Sequence, residues 1–176
     1  VLSLVLAVCI FAAGFAGCTV SDVSEVMTVD GVSVTAPEFK FYLDVAKSNL
    51  SGSLGGTFDS IDWEGLELGD GKTALDIVKE TATESIIAAK ASSAEAKKRN
   101  ITASAEEIKT YEDYIVSMTA ADRKAFLDMY AMPEEVLTVI AEDMVLADKL
   151  SGEISKDESI TSAITDVLRR MKTHKK

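Results

Sequence analysis

Few side chains in this sequence suit bond-making chemistry, and their spacing narrows the choice further. The single histidine, His174, stands in a basic tail beside Lys175 and Lys176, a setting that suits neither a catalytic triad nor a metal site. The two cysteines, Cys9 and Cys18, both fall in or at the end of the leading apolar run. Removal of that run leaves Cys18 alone, which excludes a disulfide framework and a paired-cysteine metal site. The stretch Gly65-Leu66-Glu67-Leu68-Gly69-Asp70-Gly71-Lys72-Thr73 ends like a phosphate-binding loop. The GxxxxGK[ST] spacing would need glycine where Leu66 stands, so the pattern fails. Asp59, Asp62, Glu64, Glu67 and Asp70 crowd one segment and could in principle hold Ca²⁺. They do not fit the EF-hand spacing, and a solvated loop is the expected reading. The sequence therefore predicts no catalytic residue, no metal and no cofactor.

Charge narrows the partners. Eighteen basic residues face 29 acidic ones, for a formal net charge of -11. Arg169, Arg170, Lys172, Lys175 and Lys176 sit together at the end, so the rest of the chain is more acidic still. Such a body repels phosphates, and no nucleic-acid partner is expected. Its acidity favours solubility; attraction of cationic unfolded chains is the second reading.

Residues 1–17 are almost wholly apolar and finish in small residues, the pattern of a secretory signal. The run opens at Val1 without Met or a basic n-region, so the natural start is expected upstream. Phe15-Ala16-Gly17-Cys18 resembles the bacterial lipobox, where small residues precede a cysteine that is lipidated after cleavage. Phe15 stands where that pattern usually has an aliphatic residue. The resemblance implies a signal peptide over 1–17, a lipid on Cys18, a tether over 18–25 and a folded domain over 26–176. The alternative is an uncleaved anchor, since seventeen apolar residues reach the lower limit for spanning a bilayer.

The elements that must carry any function read as mainly helical. Val26–Val34 alternates around Asp30-Gly31, a strong hairpin signal because both residues tolerate positive φ. Thr35 predicts a helix N-cap, with Pro37 in the first turn and Glu38 as its capping-box acid; Phe39, Leu43, Ala46 and Leu50 follow at helical spacing. A long Gly-, Ser- and Asp-rich connection spans 51–72, with Trp63 expected as a plug that pins it and a ligand-facing aromatic as the alternative. The longest helical pattern, 72–99, carries Leu75, Val78, Ala82, Ile86, Ala89, Ser93 and Ala96 on a narrow, Ala-rich stripe. Ser104 and Glu107 form a capping box ahead of Ile108, Tyr111, Ile115 and Met118. A short helix near 121–130 presents Phe126 and either Met129 or Tyr130. Pro133 is placed at the first position of a helix bearing Val136, Leu137, Ile140, Met144, Ala147 and Leu150. A last helix is expected over 157–172. The six methionines are expected mostly in the core, with a client-binding surface as their other use.

The order of these features is similar to a known family. Val26-Met27-Thr28-Val29-Asp30-Gly31-Val32-Ser33-Val34-Thr35-Ala36-Pro37-Glu38-Phe39, then Trp63 and Gly71-Lys72-Thr73-Ala74-Leu75-Asp76, then Ala96-Lys97-Lys98-Arg99-Asn100-Ile101-Thr102 with Glu106-Glu107-Ile108, resemble the N-terminal chaperone part of SurA/PrsA-type peptidyl-prolyl isomerases. The resemblance covers about residues 26–152. It implies a helical domain of five to six helices with one short N-terminal β-hairpin. It further implies binding of unfolded or nascent exported polypeptides outside the cytoplasm, on a lipid-anchored protein of a Gram-positive bacterium. The family's parvulin isomerase domain has no counterpart in these 176 residues, so isomerase activity is expected only if the chain is a fragment. The other alternative is an assembly lipoprotein that docks one specific partner.

Overall fold

The computed structural model describes residues 24–119 and 121–156. The leading run, Cys18 and the helix expected over 157–172 lie outside the described residues.

The hairpin forms where the alternation places it. Strands β1 (Glu25–Val29) and β2 (Val32–Thr35) pair antiparallel, with Val29 opposite Val32 and Met27 opposite Val34. Asp30 at φ 50° and Gly31 at φ 80° make the two-residue left-handed turn that matches strand twist. A two-stranded ribbon is marginal alone, so it docks an apolar face. Met27, Val29 and Val34 are buried against Ile86, with Phe39 and Tyr42 alongside. The strand begins at Glu25, inside the expected tether, and the Ala36 amide ties Ser24 to the helix start at 2.9 Å.

Five helices follow: α1 (Ala36–Ser53), α2 (Ala74–Lys98), α3 (Ala105–Ser117), α4 (Arg123–Tyr130) and α5 (Glu134–Lys156). The fold is mainly α with one small hairpin, as the sequence predicts. Three starts follow local side-chain chemistry. Thr73 with Asp76, and Ser104 with Glu107, make reciprocal capping boxes, while Asp122 accepts from the Ala125 amide. Thr35 caps α1, accepting from the Glu38 amide at 3.4 Å. The Glu38 carboxylate turns into the core beside the Lys90 ammonium. Pro133 lies just ahead of α5, its carbonyl accepting from Val136 and Leu137, and the helix runs on to Lys156.

Helix ends are equally local. Asn100 at φ 61° and Ala131 at φ 47° end α2 and α4 in the left-handed region. Beyond each, the next amide reaches back to close the terminal turn, Ile101 to the Ala96 carbonyl and Met132 to that of Leu127, both at 2.9 Å.

Helix α2 is the spine. Its first half packs on α1 through Val78, Ala82 and Ala46, where the small side chains let the backbones approach. Its second half packs on α5 through Ala96, Leu146 and Leu150. The largest cluster joins α1, α3, α4 and α5 around Phe41, Ile115, Phe126, Tyr130, Leu137 and Ile140. Phe41 meets Phe126 and Tyr130 edge-on, at centroid distances of 6.2 and 5.9 Å. Each fully buried side chain of this size stabilises the fold by about 1.5–3 kcal/mol.

Several expected face residues shift. On α1 the buried aromatic is Phe41, with Phe39 half-buried; on α2, Lys90 is buried in place of Ala89; and on α3, Glu112 and Val116 are buried while Met118 is exposed. Tyr130, not Met129, faces inward on α4. Among the described methionines, Met27 and Met132 are core residues, Met144 is half-buried, and Met118 and Met129 are exposed.

Candidate functional site

Two features stand apart from ordinary core packing: a buried charge cluster and an exposed apolar segment.

The cluster gathers Glu38 from α1, Lys90 from α2 and Asp143 from α5, all nearly inaccessible to solvent. The Lys90 ammonium donates to Asp143 Oδ2 at 2.7 Å and lies 2.8 Å from Glu38 Oε1. The second contact is an ion pair of similar length, and among the described residues Glu38 Oε1 has no partner besides this ammonium. One ammonium thus faces two carboxylates in an apolar setting. Burial pushes the Glu38 carboxyl above its ordinary range, outweighing the pull of Lys90. Burial alone would pull Lys90 down, but its bonds to Asp143 and Glu38 prevail and raise it. Tyr42 lines the same space; burial, then the charges of Glu38 and Asp143, hold its hydroxyl far above the usual phenol range. The three charged side chains belong to three helices, so the cluster links α1, α2 and α5 at one point.

Two half-exposed ion-pair networks extend this. Arg123 at the start of α4 reaches Glu112 on α3 at 2.9 Å and Glu134 on α5 at 2.6 Å, while Thr138 donates to the other Glu112 oxygen at 2.7 Å. Lys149 on α5 joins Glu107 and the Thr102 carbonyl, each at 2.7 Å. Lys149 and the Ser104 cap together hold Glu107 down to about 2.

The second feature is the connection between α1 and α2. Leu54, Phe58, Leu66 and Leu68 are each more than a third exposed, four large apolar side chains within fifteen residues of one connection. Its backbone is nevertheless ordered by local bonds. Phe58–Ser60 forms a single 3-10 turn, Asp62 caps the Gly65 amide at 2.9 Å, and Glu67 bridges Thr73 around the Gly69–Gly71 turn. Trp63 is half-buried against Ala46, Val78 and Ala82, and its carbonyl accepts from the Leu75 amide at 2.7 Å. It pins the segment, as expected. Its ring also meets that of Phe58 at 5.6 Å, and the Lys47 ammonium sits over both, 5.3 Å from Phe58 and 5.4 Å from Trp63. Trp63 is thus the core plug, and its ring also packs against Phe58 and under the Lys47 ammonium.

Comparison with protein-family models, curated proteins and solved structures gives no match.

The expected acidic cluster stays dispersed. Among the described residues no three His, Cys, Asp or Glu side chains converge as metal ligands, and Asp59, Asp62, Glu64, Glu67 and Asp70 make no ion pair. No described helix is long and apolar enough to cross a membrane. Cys18, the expected lipidation site, lies outside the described residues. Sequence reasoning missed Lys90, Glu38 and Asp143 as a group. The available signal was a lysine at a stripe position, two turns after Ala82 and one after Ile86, where an apolar residue belongs.

Proposed function

We propose that this chain is a membrane-tethered, chaperone-like protein that binds unfolded exported polypeptides without chemical turnover. The observation that carries the reading is the segment 54–68, where Leu54, Phe58, Leu66 and Leu68 project from a rigid helical body. Exposed apolar side chains on an ordered scaffold suit weak binding of extended segments, which need neither a nucleophile nor a metal. The order of sequence motifs shared with the SurA/PrsA chaperone part supports the same reading. Lipidation of Cys18 would hold the domain at the membrane surface where exported chains emerge.

The test follows light scattering of two unrelated aggregation-prone unfolded proteins while the chain is added at rising ratio. Suppression of both near stoichiometric ratio is the expected result. Failure with both overturns the chaperone reading and favours a lipoprotein that docks a single partner. Metabolic labelling with a radiolabelled fatty acid, lost in Cys18→Ser, checks the anchor.

A further inference from the structure

We infer that the segment 54–72 selects one class of extended polypeptide, in which apolar residues alternate with Lys or Arg. This rests on the chaperone reading and names the client chemistry of that surface.

Three observations converge. The first is apolar: Leu66 and Leu68 are exposed on either side of Glu67, which forms an isolated bridge with Thr73. Together with Leu54 and Phe58 they offer contact area for aliphatic side chains. The second is electrostatic. Asp59, Asp62, Glu64, Glu67 and Asp70 interleave with these apolar residues, and none is neutralised by an ion pair among the described residues. The one lysine of the segment, Lys72, is engaged by Glu80 at 2.7 Å. A strand with cationic residues between its apolar ones therefore meets complementary charge, while an acidic strand is repelled.

The third observation shows the surface already holding a cation. The Lys47 ammonium lies over the tilted Phe58–Trp63 pair, at 5.3 and 5.4 Å from the two ring centroids, and among the described residues it makes no ion pair. The negative faces of two aromatic rings attract a cation there. An incoming Lys or Arg finds the same seat by displacing the flexible Lys47 side chain. Leu66 and Leu68, three and five residues after Trp63 in the chain, are the exposed apolar side chains offered to its neighbours.

Trp63 is the only tryptophan, so its fluorescence reports this seat without a label. The full chain is titrated with three unstructured peptides of equal length, alternating Leu/Arg, Leu/Glu and Ser/Arg; anisotropy of the labelled peptides gives a second readout. Saturable binding of the Leu/Arg peptide is expected, at least tenfold tighter than either other peptide on the scale of a few buried side chains. The double variant Leu66→Ser/Leu68→Ser should weaken it by roughly tenfold. Both side chains are already exposed, and an unchanged far-UV melt confirms the fold. Equal affinity for the Leu/Glu or the Ser/Arg peptide overturns the inference, as does an unaltered double variant. Aggregation suppression without binding of any peptide overturns this inference and leaves the chaperone reading standing. Tight Leu/Arg binding without suppression does the reverse.

Discussion

Lys90 Nζ and Asp143 Oδ2 lie 2.7 Å apart across the interface of α2 and α5, inside the protein and 53 residues apart in sequence. With Glu38 on the far side of the ammonium, the contact joins three helices at one point. Removing the ammonium leaves two facing carboxylates buried and unpaired. Lys90→Met is expected to destabilise the fold by about 3–5 kcal/mol in urea unfolding. The triple variant Glu38→Gln/Lys90→Met/Asp143→Asn should recover most of that loss, because no charge is then stranded. If it stays as unstable as the single variant, the cluster stabilises the fold through more than charge balance.

The same cluster sets a pH dependence opposite to that of the surface carboxylates. Glu38 has a raised carboxyl in the folded state. Its contribution is fully present below the ordinary value of 4.5 and is lost as the pH rises through the higher folded value. Glu107 is held down to about 2, so its contribution is present above 4.5 and disappears as the pH falls through about 2. Stability is therefore expected to decline as the pH rises above 4.5 through the raised Glu38 value. Glu38→Gln should flatten that decline, and Lys149→Met should shift the acid limb upward. Urea midpoints measured across a pH series check both.

Backbone handedness offers a paired test. Gly31 at φ 80° has no heavy atom within 4 Å of where a Cβ would stand. Gly31→Ala thus meets conformational cost alone, about 1–2 kcal/mol. Ala131, at φ 47°, already bears that cost at the end of α4. Ala131→Gly should stabilise by up to about 1 kcal/mol, read as a rise in melting temperature.

Close helix approach gives a fourth prediction. Ala82 is fully buried where α1 meets α2. Ala82→Leu should cost about 1–3 kcal/mol through overpacking, whereas Ala88→Leu on the exposed face of α2 should cost almost nothing. Thermal unfolding of the two variants separates packing from helix propensity, which is similar for both residues.

What could be read from the sequence was local. The Asp30-Gly31 turn, the caps at Thr73 and Ser104, and the α2 stripe from Val78 to Ile86 depend on residues a few positions apart. The charge cluster was not legible, because its members come from three distant helices and each had a plausible local role. Glu38 fitted a capping box, while Lys90 sat beside Ala89, which suited the apolar stripe. Asp143 lay one position before Met144. Amphipathic spacing identifies a face only to within one neighbouring position, and tertiary pairing chose the polar neighbour in each case. Met118 continued the spacing of α3 but stands at the C-cap, past the surface that α5 covers. At the candidate surface, Trp63 was legible as an anchor. The Lys47 contact was not, since it depends on how the connection folds back over α1.

Burial also makes Lys90 a reporter of conformational opening. Lys98, Lys109 and Lys124 carry surface ion pairs on side chains 79%, 70% and 83% exposed, within reach of amine-reactive reagents, whereas Lys90 is 4% exposed between two buried carboxylates. Its modification requires α1, α2 and α5 to separate, so the labelling rate at this single nitrogen measures how often the core opens.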